Sequence, residues 1–165
     1  NVLITMNSCD KFKINNPISL CIFSKQLKSK SNLSNIKSIN SLIPVLASIY
    51  AMENNVDNAL LINTNHNIIE ATNANLFCIK GETIFTPPKE DGPVLGTMRD
   101  WILTQVEVRE TSLTAEDLIN SDEVFITNST SGIVPVKSIG TKNFNESFKN
   151  ANKLQNKLIS LSLDL

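Results

Sequence analysis

Short apolar runs separated by polar turns dominate the first two thirds of the chain, and this pattern predicts β-strands. The turns are rich in Asn, Lys and Gly, the residue types that end a strand. A polar stretch at residues 26–35 is interpreted as a surface loop. The predicted strands are residues 1–6, 18–24, 59–62, 68–70, 75–79, 83–85, 106–110, 122–126 and 133–136.

Helical spacing of apolar residues appears in fewer places. Residues 38–53 place Leu42, Val45, Leu46, Ile49 and Met52 on one predicted helix face. Further helices are predicted to begin at Gly96-Thr97, at residue 114 and at residue 145. The threonine at 114 is followed three residues later by an aspartate, which is typical of a capping box. The pattern predicts an α+β domain in which antiparallel strands and a few flanking helices are segregated.

Composition narrows the class of protein without identifying it. The chain has 165 residues, 41% hydrophobic and 19% charged, which indicates one globular domain covering residues 1–165. A net charge of -1 and no basic run argue against a nucleic-acid partner. The apolar stretches are too short to cross a membrane. Cys9, Cys21 and Cys78 have neither metal-site nor disulfide spacing, so we expect no metal and a reducing, cytoplasmic setting.

One junction departs from ordinary helix and loop lengths. The helix that begins at Thr97 has only about two turns before a strand pattern starts at Val106, whereas a mean helix has about 11–12 residues and is followed by a loop. No turn residue separates the two elements. We therefore expect that residues are missing from this sequence near Gln105 and Val106.

Four segments between residues 36 and 136 carry candidate chemistry. They are Ile36-Lys37-Ser38-Ile39-Asn40-Ser41-Leu42, then Ile69-Glu70-Ala71-Thr72-Asn73-Ala74-Asn75-Leu76-Phe77, then Thr86-Pro87-Pro88 with Gly96-Thr97-Met98-Arg99, and finally Asp122-Glu123-Val124-Phe125-Ile126-Thr127-Asn128-Ser129. In order and approximate spacing, they resemble four segments of class IV pyridoxal-phosphate-dependent aminotransferases. These are the lysine segment, the glutamate segment, the segment in which a helix start meets the cofactor phosphate, and the last segment of the family's pattern.

The resemblance implies that Lys37 holds pyridoxal 5'-phosphate as a Schiff base and acts as the catalytic residue. Such a lysine must lose its proton near neutral pH, which requires a partly buried or electropositive setting. Lys37 lies between Ile36 and Ile39 at the start of the predicted apolar helix. Taken alone it would be interpreted as a surface lysine, and the other three segments favour the cofactor role.

The resemblance also assigns the remaining cofactor contacts. Glu70 would face the pyridine nitrogen and keep it protonated, which makes the ring an electron sink. Gly96, Thr97 and Met98 would offer backbone N–H groups to the phosphate at a helix start. Ser129 would add a hydroxyl to the same phosphate. Each pattern alone would equally describe a strand-end glutamate or an ordinary helix start. Arg99 is interpreted as structural.

The implied fold is the C-terminal, cofactor-binding domain of the D-amino-acid aminotransferase-like fold. Members of the family have a smaller N-terminal domain, which we expect to be mostly absent from this sequence. The cofactor lies at the interface between the two domains, and the substrates are small amino compounds. Members are typically homodimers in which the partner contributes to the active site. We expect this chain to follow that pattern.

The family has three branches: branched-chain aminotransferases, D-amino-acid aminotransferases and 4-amino-4-deoxychorismate lyases. Ser41 stands where branched-chain enzymes usually have tyrosine, and Thr127-Asn128 is more similar to the lyases. We expect a lyase that releases pyruvate and 4-aminobenzoate for folate synthesis, with Asn128 and Thr130 on the substrate side. Either aminotransferase remains an alternative. A catalytically silent binding module is another, because Ala74 stands where other members often have a phosphate-contacting hydroxyl.

Overall fold

A computed structural model of the chain describes residues 12–31, 33–39 and 41–163. The predicted strand at residues 1–6 and Cys9 lie outside the described residues. Within them, no helix has the length and apolarity needed to span a membrane.

The strands of the described residues form one mixed sheet of nine strands. The strands are β1 (Ile18–Lys28), β2 (Asn58–Asn63), β3 (Ile68–Ala71), β4 (Asn75–Lys80), β5 (Thr83–Thr86), β6 (Val108–Glu110), β7 (Glu123–Asn128), β8 (Gly132–Ile139) and β9 (Lys142–Asn143). The helices are α1 (Leu42–Glu53), α2 (Thr97–Gln105), α3 (Ala115–Ile119) and α4 (Lys149–Leu163), with a 3₁₀ turn at Lys89–Asp91. The α+β class predicted from the sequence is confirmed.

The sheet closes on itself. Its pairing order runs β3-β2-β1-β8-β7-β4, and β3 pairs again with β4, which completes a ring of six strands. β5 and β6 continue outward from β4, and β9 pairs with β8. The expectation of antiparallel strands is only partly correct, because β1 is parallel to β2 and to β8, and β5 is parallel to β6. Parallel neighbours need a crossover connection, and α1 and α2 lie in the connections from β1 to β2 and from β5 to β6.

Alternating side chains of the ring strands enter different cores, as the two-residue period of a strand requires. In β4, Leu76 and Cys78 belong to one buried cluster, while Phe77 and Ile79 belong to a second one beside α2 and α4. The rings of Phe77 and Phe125 stack in this second cluster with centroids 5.0 Å apart. The ring therefore has a filled interior and a covered outer face.

β1 is longer than the sequence pattern indicates. The predicted strand stopped at residue 24, and residues 26–35 were interpreted as a loop, but β1 continues to Lys28. The last pairing of the strand joins Lys28 to Asn63, after a shift of register that begins at Phe23. The polar residues Ser24, Lys25 and Gln26 are exposed, which is why this stretch resembles a loop. The extension matters because it brings Lys28 to the site described below.

The buried face of α1 differs from the predicted one. The helix begins at Leu42, later than the predicted residue 38, and it contacts the sheet through Ala47 and Ala51, which are buried together with Phe23 of β1. Small side chains allow the helix to approach the sheet closely. The predicted apolar face is solvent-exposed instead, and it consists of Leu42, Val45, Leu46, Ile49 and Met52. We call these five residues the α1 apolar face.

α2 passes into β6 without an intervening loop. The backbone N–H of Val106 donates to the carbonyl of Ile102 at 3.2 Å and ends the helix, and β6 begins at Val108. The short helix is joined to its strand by Val106 and Glu107, and the omission expected near Gln105 and Val106 stays a prediction.

Two helix starts are fixed by side chains. The predicted capping box at α3 is confirmed: the Asp117 N–H donates to Thr114 Oγ1 at 3.1 Å, and Asp117 Oδ2 accepts the Thr114 N–H at 2.8 Å. At α4, the buried Glu123 carboxylate accepts the N–H groups of Asn150 and Ala151 at 3.1 and 2.7 Å. A carboxylate is favourable there because it meets unpaired donors and the positive end of the helix dipole.

Candidate active site

One cavity brings all of the predicted site residues together. Its volume is about 900 Å³, within the range of small-molecule sites. The predicted residues that line it are Lys37, Glu70, Gly96, Thr97, Met98, Asn128, Ser129 and Thr130. They come from the segment before α1, the strand β3, the start of α2 and the turn between β7 and β8. Residues distant in sequence thus form one site.

Glu70 is the most constrained of these residues, with only 5% of its surface exposed. One carboxylate oxygen, Oε1, lies 2.6 Å from the Nζ atom of Lys28, and the other, Oε2, accepts the N–H of Val94 at 2.8 Å. Burial raises the pKa of the Glu70 carboxyl, while the charge and hydrogen bond of Lys28 and the N–H of Val94 act in the opposite direction. The carboxylate is therefore fixed in position by two donors.

Lys37 lies in an exposed, non-helical segment, five residues before the first residue of α1. The expectation that it sits at the start of an apolar helix is wrong, because residues 37 and 38 have no regular structure. Its side chain nevertheless lines the cavity, and its charge contributes to lowering the pKa of Glu70. Lys37 and Glu70 therefore line one cavity and act on each other electrostatically.

The start of α2 forms a second wall of the cavity. Gly96 is the residue before the helix, and no side chain caps this end. The first N–H groups of a helix have no partner within it, so those of Thr97 and Met98 are available to an anion. The Gly96 N–H donates to Asn75 Oδ1 at 3.2 Å. A Cβ atom at Gly96 would lie 2.4 Å from that oxygen, so the close approach requires glycine here.

The turn between β7 and β8 supplies the third wall. Asn128 is half-buried, and its Oδ1 atom accepts the N–H groups of Thr130 and Ser131 at 3.0 and 2.8 Å. Its side-chain oxygen therefore stabilises the turn, and only the amide N–H₂ group remains for a ligand. Ser129 and Thr130 are exposed at the edge of the cavity.

Arg99 has the structural role expected from the sequence. It is 3% exposed, and its guanidinium group donates to the carbonyl of Pro87 and to the carboxylate of Glu110. These contacts join α2 to β6 and to the segment after β5.

Sequence reasoning missed two residues of the site, Lys28 and Asn75. Asn75 is buried, accepts the Gly96 N–H and donates to the carbonyl of Val94 at 2.6 Å, so it holds the loop before α2 against β4. An asparagine at the first position of an otherwise apolar strand was the available signal. Lys28 had no such signal, because it was one of several lysines in a polar stretch.

The strand register places Glu70, Asn75 and Thr127 next to one another. Glu70 of β3 pairs with Asn75 of β4, and Asn75 pairs in turn with Thr127 of β7. Three polar residues therefore lie side by side across three strands, at the point where the ring closes. The cavity opens beside this row.

These features suit pyridoxal phosphate. A buried carboxylate can accept a hydrogen bond from the protonated pyridine nitrogen, the uncapped start of α2 can bind a phosphate, and a lysine amine lines the same cavity. Each of the three groups matches a different part of the cofactor.

The comparison with known families decides the classification. The family model described as amino-transferase class IV matches residues 3–139. The chain belongs to this family. Membership implies pyridoxal phosphate as the cofactor, and it confirms the resemblance found in the sequence.

Relatives of this family member include enzymes of more than one kind. A Methanocaldococcus jannaschii protein, provisionally named a branched-chain-amino-acid aminotransferase, is 36% identical over 131 residues, which cover 69% of this chain and 46% of the relative. The aminodeoxychorismate lyase of Vibrio harveyi is 32% identical over 127 residues, which cover 74% of this chain and 47% of the lyase.

A solved structure extends the likeness to the fold. The Legionella pneumophila protein, provisionally named a 4-amino-4-deoxychorismate lyase, superposes with a TM-score of 0.80 at 32% identity and covers 93% of this chain and 58% of that protein. The chain spans about half the length of the curated relatives it matches. The fold is therefore that of one part of these enzymes.

Proposed function

We propose that this chain forms the cofactor-binding part of a pyridoxal-phosphate-dependent enzyme in which Lys37 carries the cofactor. The observation that supports this most is the convergence of Lys37, Glu70 and the start of α2 on one cavity. A lysine amine, a buried carboxylate and an uncapped helix start in one cavity match three parts of a pyridoxal-phosphate enzyme's site. The convergence therefore favours an enzyme over a silent relative.

Each residue of the site would have a separate role. When bound, pyridoxal phosphate supplies an electron sink for a bond broken at the substrate α-carbon. Glu70 would accept the hydrogen bond of the protonated pyridine nitrogen, and the backbone N–H groups of Thr97 and Met98 would bind the phosphate, with Ser129 as an additional donor. Lys37 Nζ would bind the cofactor aldehyde, and after release it would move a proton to or from the substrate.

For the reaction, we favour 4-amino-4-deoxychorismate lyase. Ser41 lines the cavity and Thr127 is buried in its wall, so both positions that separate the branches in sequence lie at the site. A serine at position 41 leaves more space than the tyrosine usual in branched-chain enzymes. Lys37 would assist loss of the α-proton and release of pyruvate. Aromatisation of the remaining ring supplies much of the driving force.

A branched-chain aminotransferase is the second candidate. The Methanocaldococcus relative supports it, since its identity of 36% exceeds that of the Vibrio lyase. In that case Lys37 would carry the proton from the substrate α-carbon to the cofactor, and a 2-oxo acid would be needed as the amino acceptor.

We also propose a homodimer that acts on a small amino substrate in the cytoplasm. The α1 apolar face supports the dimer, because the side chains of Leu42, Val45 and Met52 are each more than half exposed. Contiguous apolar surface of this kind marks a surface that another protein covers. The mass of the full protein in light scattering tests the dimer.

Removing Lys37 tests the site. In the full protein, Lys37→Ala is expected to abolish the Schiff-base absorbance that appears when pyridoxal phosphate is added, because Lys28, the other amine of the cavity, is paired with Glu70. Lys30→Ala is the matched control, since Lys30 is exposed and does not line the cavity. Reduction with borohydride followed by peptide mapping should place the label on Lys37. A label on Lys28, the other lysine of the cavity, would refute the assignment.

One assay separates the two reactions. The full protein is incubated with aminodeoxychorismate and pyridoxal phosphate, with no 2-oxo acid present, and pyruvate is measured. Release of pyruvate supports the lyase. Amino transfer from a branched-chain amino acid to a 2-oxo acid, without pyruvate release in the first assay, would replace the lyase by the aminotransferase.

A further inference from the structure

Lys28 lines the candidate site together with Lys37 but comes from a different element. It is the last residue of β1, and its side chain is 16% exposed. The Nζ atom lies 2.6 Å from Oε1 of Glu70, whose side chain is 7% exposed. A long, charged side chain is rarely buried unless it is paired. Lys28 is therefore placed by its pairing with Glu70.

The positive charge of Lys28 opposes the effect of burial on the pKa of Glu70. Burial favours the neutral carboxyl group and raises the pKa of Glu70, whereas an acceptor for a protonated pyridine nitrogen must be ionised. Two charged groups act on this carboxyl among the described residues: Lys28 from β1 and Lys37 from the segment before α1. Lys28 has the larger effect, and it also donates a hydrogen bond.

Only one of these two lysines can keep its positive charge near Glu70 throughout a catalytic cycle. In the proposed function, Lys37 reacts covalently with the cofactor, so its charge changes as the cofactor binds and reacts. Lys28 takes no part in that chemistry. Its contact is on Oε1, while the Val94 N–H occupies Oε2. A carboxylate oxygen has two lone pairs, so Oε1 can accept one further donor.

We propose that Lys28 is a positioning residue that keeps the buried Glu70 carboxylate ionised and oriented for the protonated pyridine nitrogen. This inference rests on the proposed function for the use of Glu70, but the Lys28–Glu70 pair can be tested without it. The lysine contributes no proton to the reaction. It sets the charge state of the residue that holds the ring.

The first experiment measures Glu70 directly in the full protein without added cofactor. Infrared spectroscopy follows the C=O band of the protonated carboxyl group, which is assigned by its loss in Glu70→Gln. In Lys28→Met and Lys28→Gln, the midpoint of this band is expected to move to higher pH, while Lys28→Arg and the exposed-lysine control Lys30→Met leave it near the unmodified value. An unchanged midpoint in Lys28→Met and Lys28→Gln would overturn the proposal.

The pH dependence of the unfolding free energy is an independent test, and its expected direction follows from the raised pKa of Glu70. Glu70 has a raised pKa in the fold, so its contribution to stability is complete below the pKa of an unfolded glutamate and is lost as pH rises through the folded pKa. Lys28→Met should extend this loss to higher pH. If Lys28→Met does not fold, the double variant with Glu70→Gln should fold again, since no charge is left buried alone. Failure of the double variant to recover would contradict the pairing.

The second experiment measures binding of pyridoxal phosphate. Lys28→Met is expected to weaken binding at neutral pH by about tenfold or more, the effect of losing one charge-assisted hydrogen bond at the ring. The loss should shrink as pH rises, and it should vanish in a Glu70→Gln background. Unchanged or tighter binding would overturn the positioning role. Absence of cofactor binding in the unmodified protein would instead refute the proposed function, while the infrared result would still stand.

Discussion

Gly96→Ala isolates the steric requirement of the loop that precedes α2. The backbone at Gly96 has φ −84° and ψ 146°, which alanine adopts without strain. Any effect of the substitution must therefore come from the added methyl group. That group would lie 2.4 Å from Asn75 Oδ1, about 1 Å closer than the 3.4 Å at which ordinary contact begins.

The cost follows from how Asn75 is held. It is 6% exposed, it donates to the carbonyl of Val94 at 2.6 Å, and it accepts the Gly96 N–H at 3.2 Å. A displacement of about 1 Å breaks or weakens both bonds. Each contributes about 0.5–1.5 kcal/mol net, so we expect Gly96→Ala to lower the free energy of unfolding by about 2 kcal/mol. The loop carrying Val94 should move as well, which would weaken phosphate binding.

Urea denaturation of the full protein, followed by circular dichroism, measures the change in unfolding free energy. Asn75→Ala removes the atom that the methyl group would meet, so Gly96→Ala should cost little in that background. Gly81→Ala is a contrasting control, because a Cβ atom there has no neighbour within 4 Å but φ is +60°, so its cost of about 1–2 kcal/mol is conformational. Equal costs of Gly96→Ala with and without Asn75 would refute the steric account.

Two further predictions concern the scaffold. Thr114→Ala removes the two hydrogen bonds of the Thr114 hydroxyl, which accepts the Asp117 N–H and donates to Asp117 Oδ2, while the bond from the Thr114 backbone N–H remains. The variant should lower the free energy of unfolding by about 1 kcal/mol, whereas Thr111→Ala, in the preceding loop, should change it little. Denaturation midpoints that agree for the two variants would contradict this. Burial raises the pKa of the Cys78 thiol to about 12, so mass spectrometry after native treatment with a maleimide should find the half-buried Cys21 labelled well before Cys78. Rapid native labelling of Cys78 would show that its burial is wrong.

The sequence predicts the fold best where burial and strand period act together. β2, β3, β4 and β5 lie within one or two residues of their predicted positions, because each is a short apolar run ended by a turn. The pattern fails where an element depends on a distant neighbour. The end of β1 is polar, and its pairing with β2 makes it a strand.

The face through which α1 packs on the sheet is another feature that the sequence pattern does not predict. Periodicity identified an apolar face on α1, yet the helix packs on the sheet through Ala47 and Ala51. Hydrophobicity alone does not tell which of two apolar surfaces meets its own sheet and which stays exposed. Small residues permit the closer approach, and this depends on the shape of the sheet.

For the site, sequence resemblance brought together residues that line one cavity, but it did not describe their surroundings. Lys37 was expected at the start of a helix but lies five residues before it, and the side-chain oxygen of Asn128 is occupied by its own turn. Lys28 was assigned to a loop. Its contact with Glu70 depends on the extension of β1 to Lys28, which pairs with Asn63 of β2, the strand beside β3, and no local pattern records such a contact.

The closure of the ring also limits how such a protein can change during evolution. β3 and β4 meet through the single register pair of Glu70 and Asn75, whereas β4 and β7 share five such pairs. Glu70, the residue proposed to hold the cofactor ring, thus lies in the β3–β4 seam, the pairing with the fewest register pairs in the sheet. A residue at position 70 that could not accept hydrogen bonds from Lys28 and Val94 would disturb folding as well as chemistry. We expect new activities in this scaffold to arise at the β7–β8 turn, where exposed residues can vary without opening the seam.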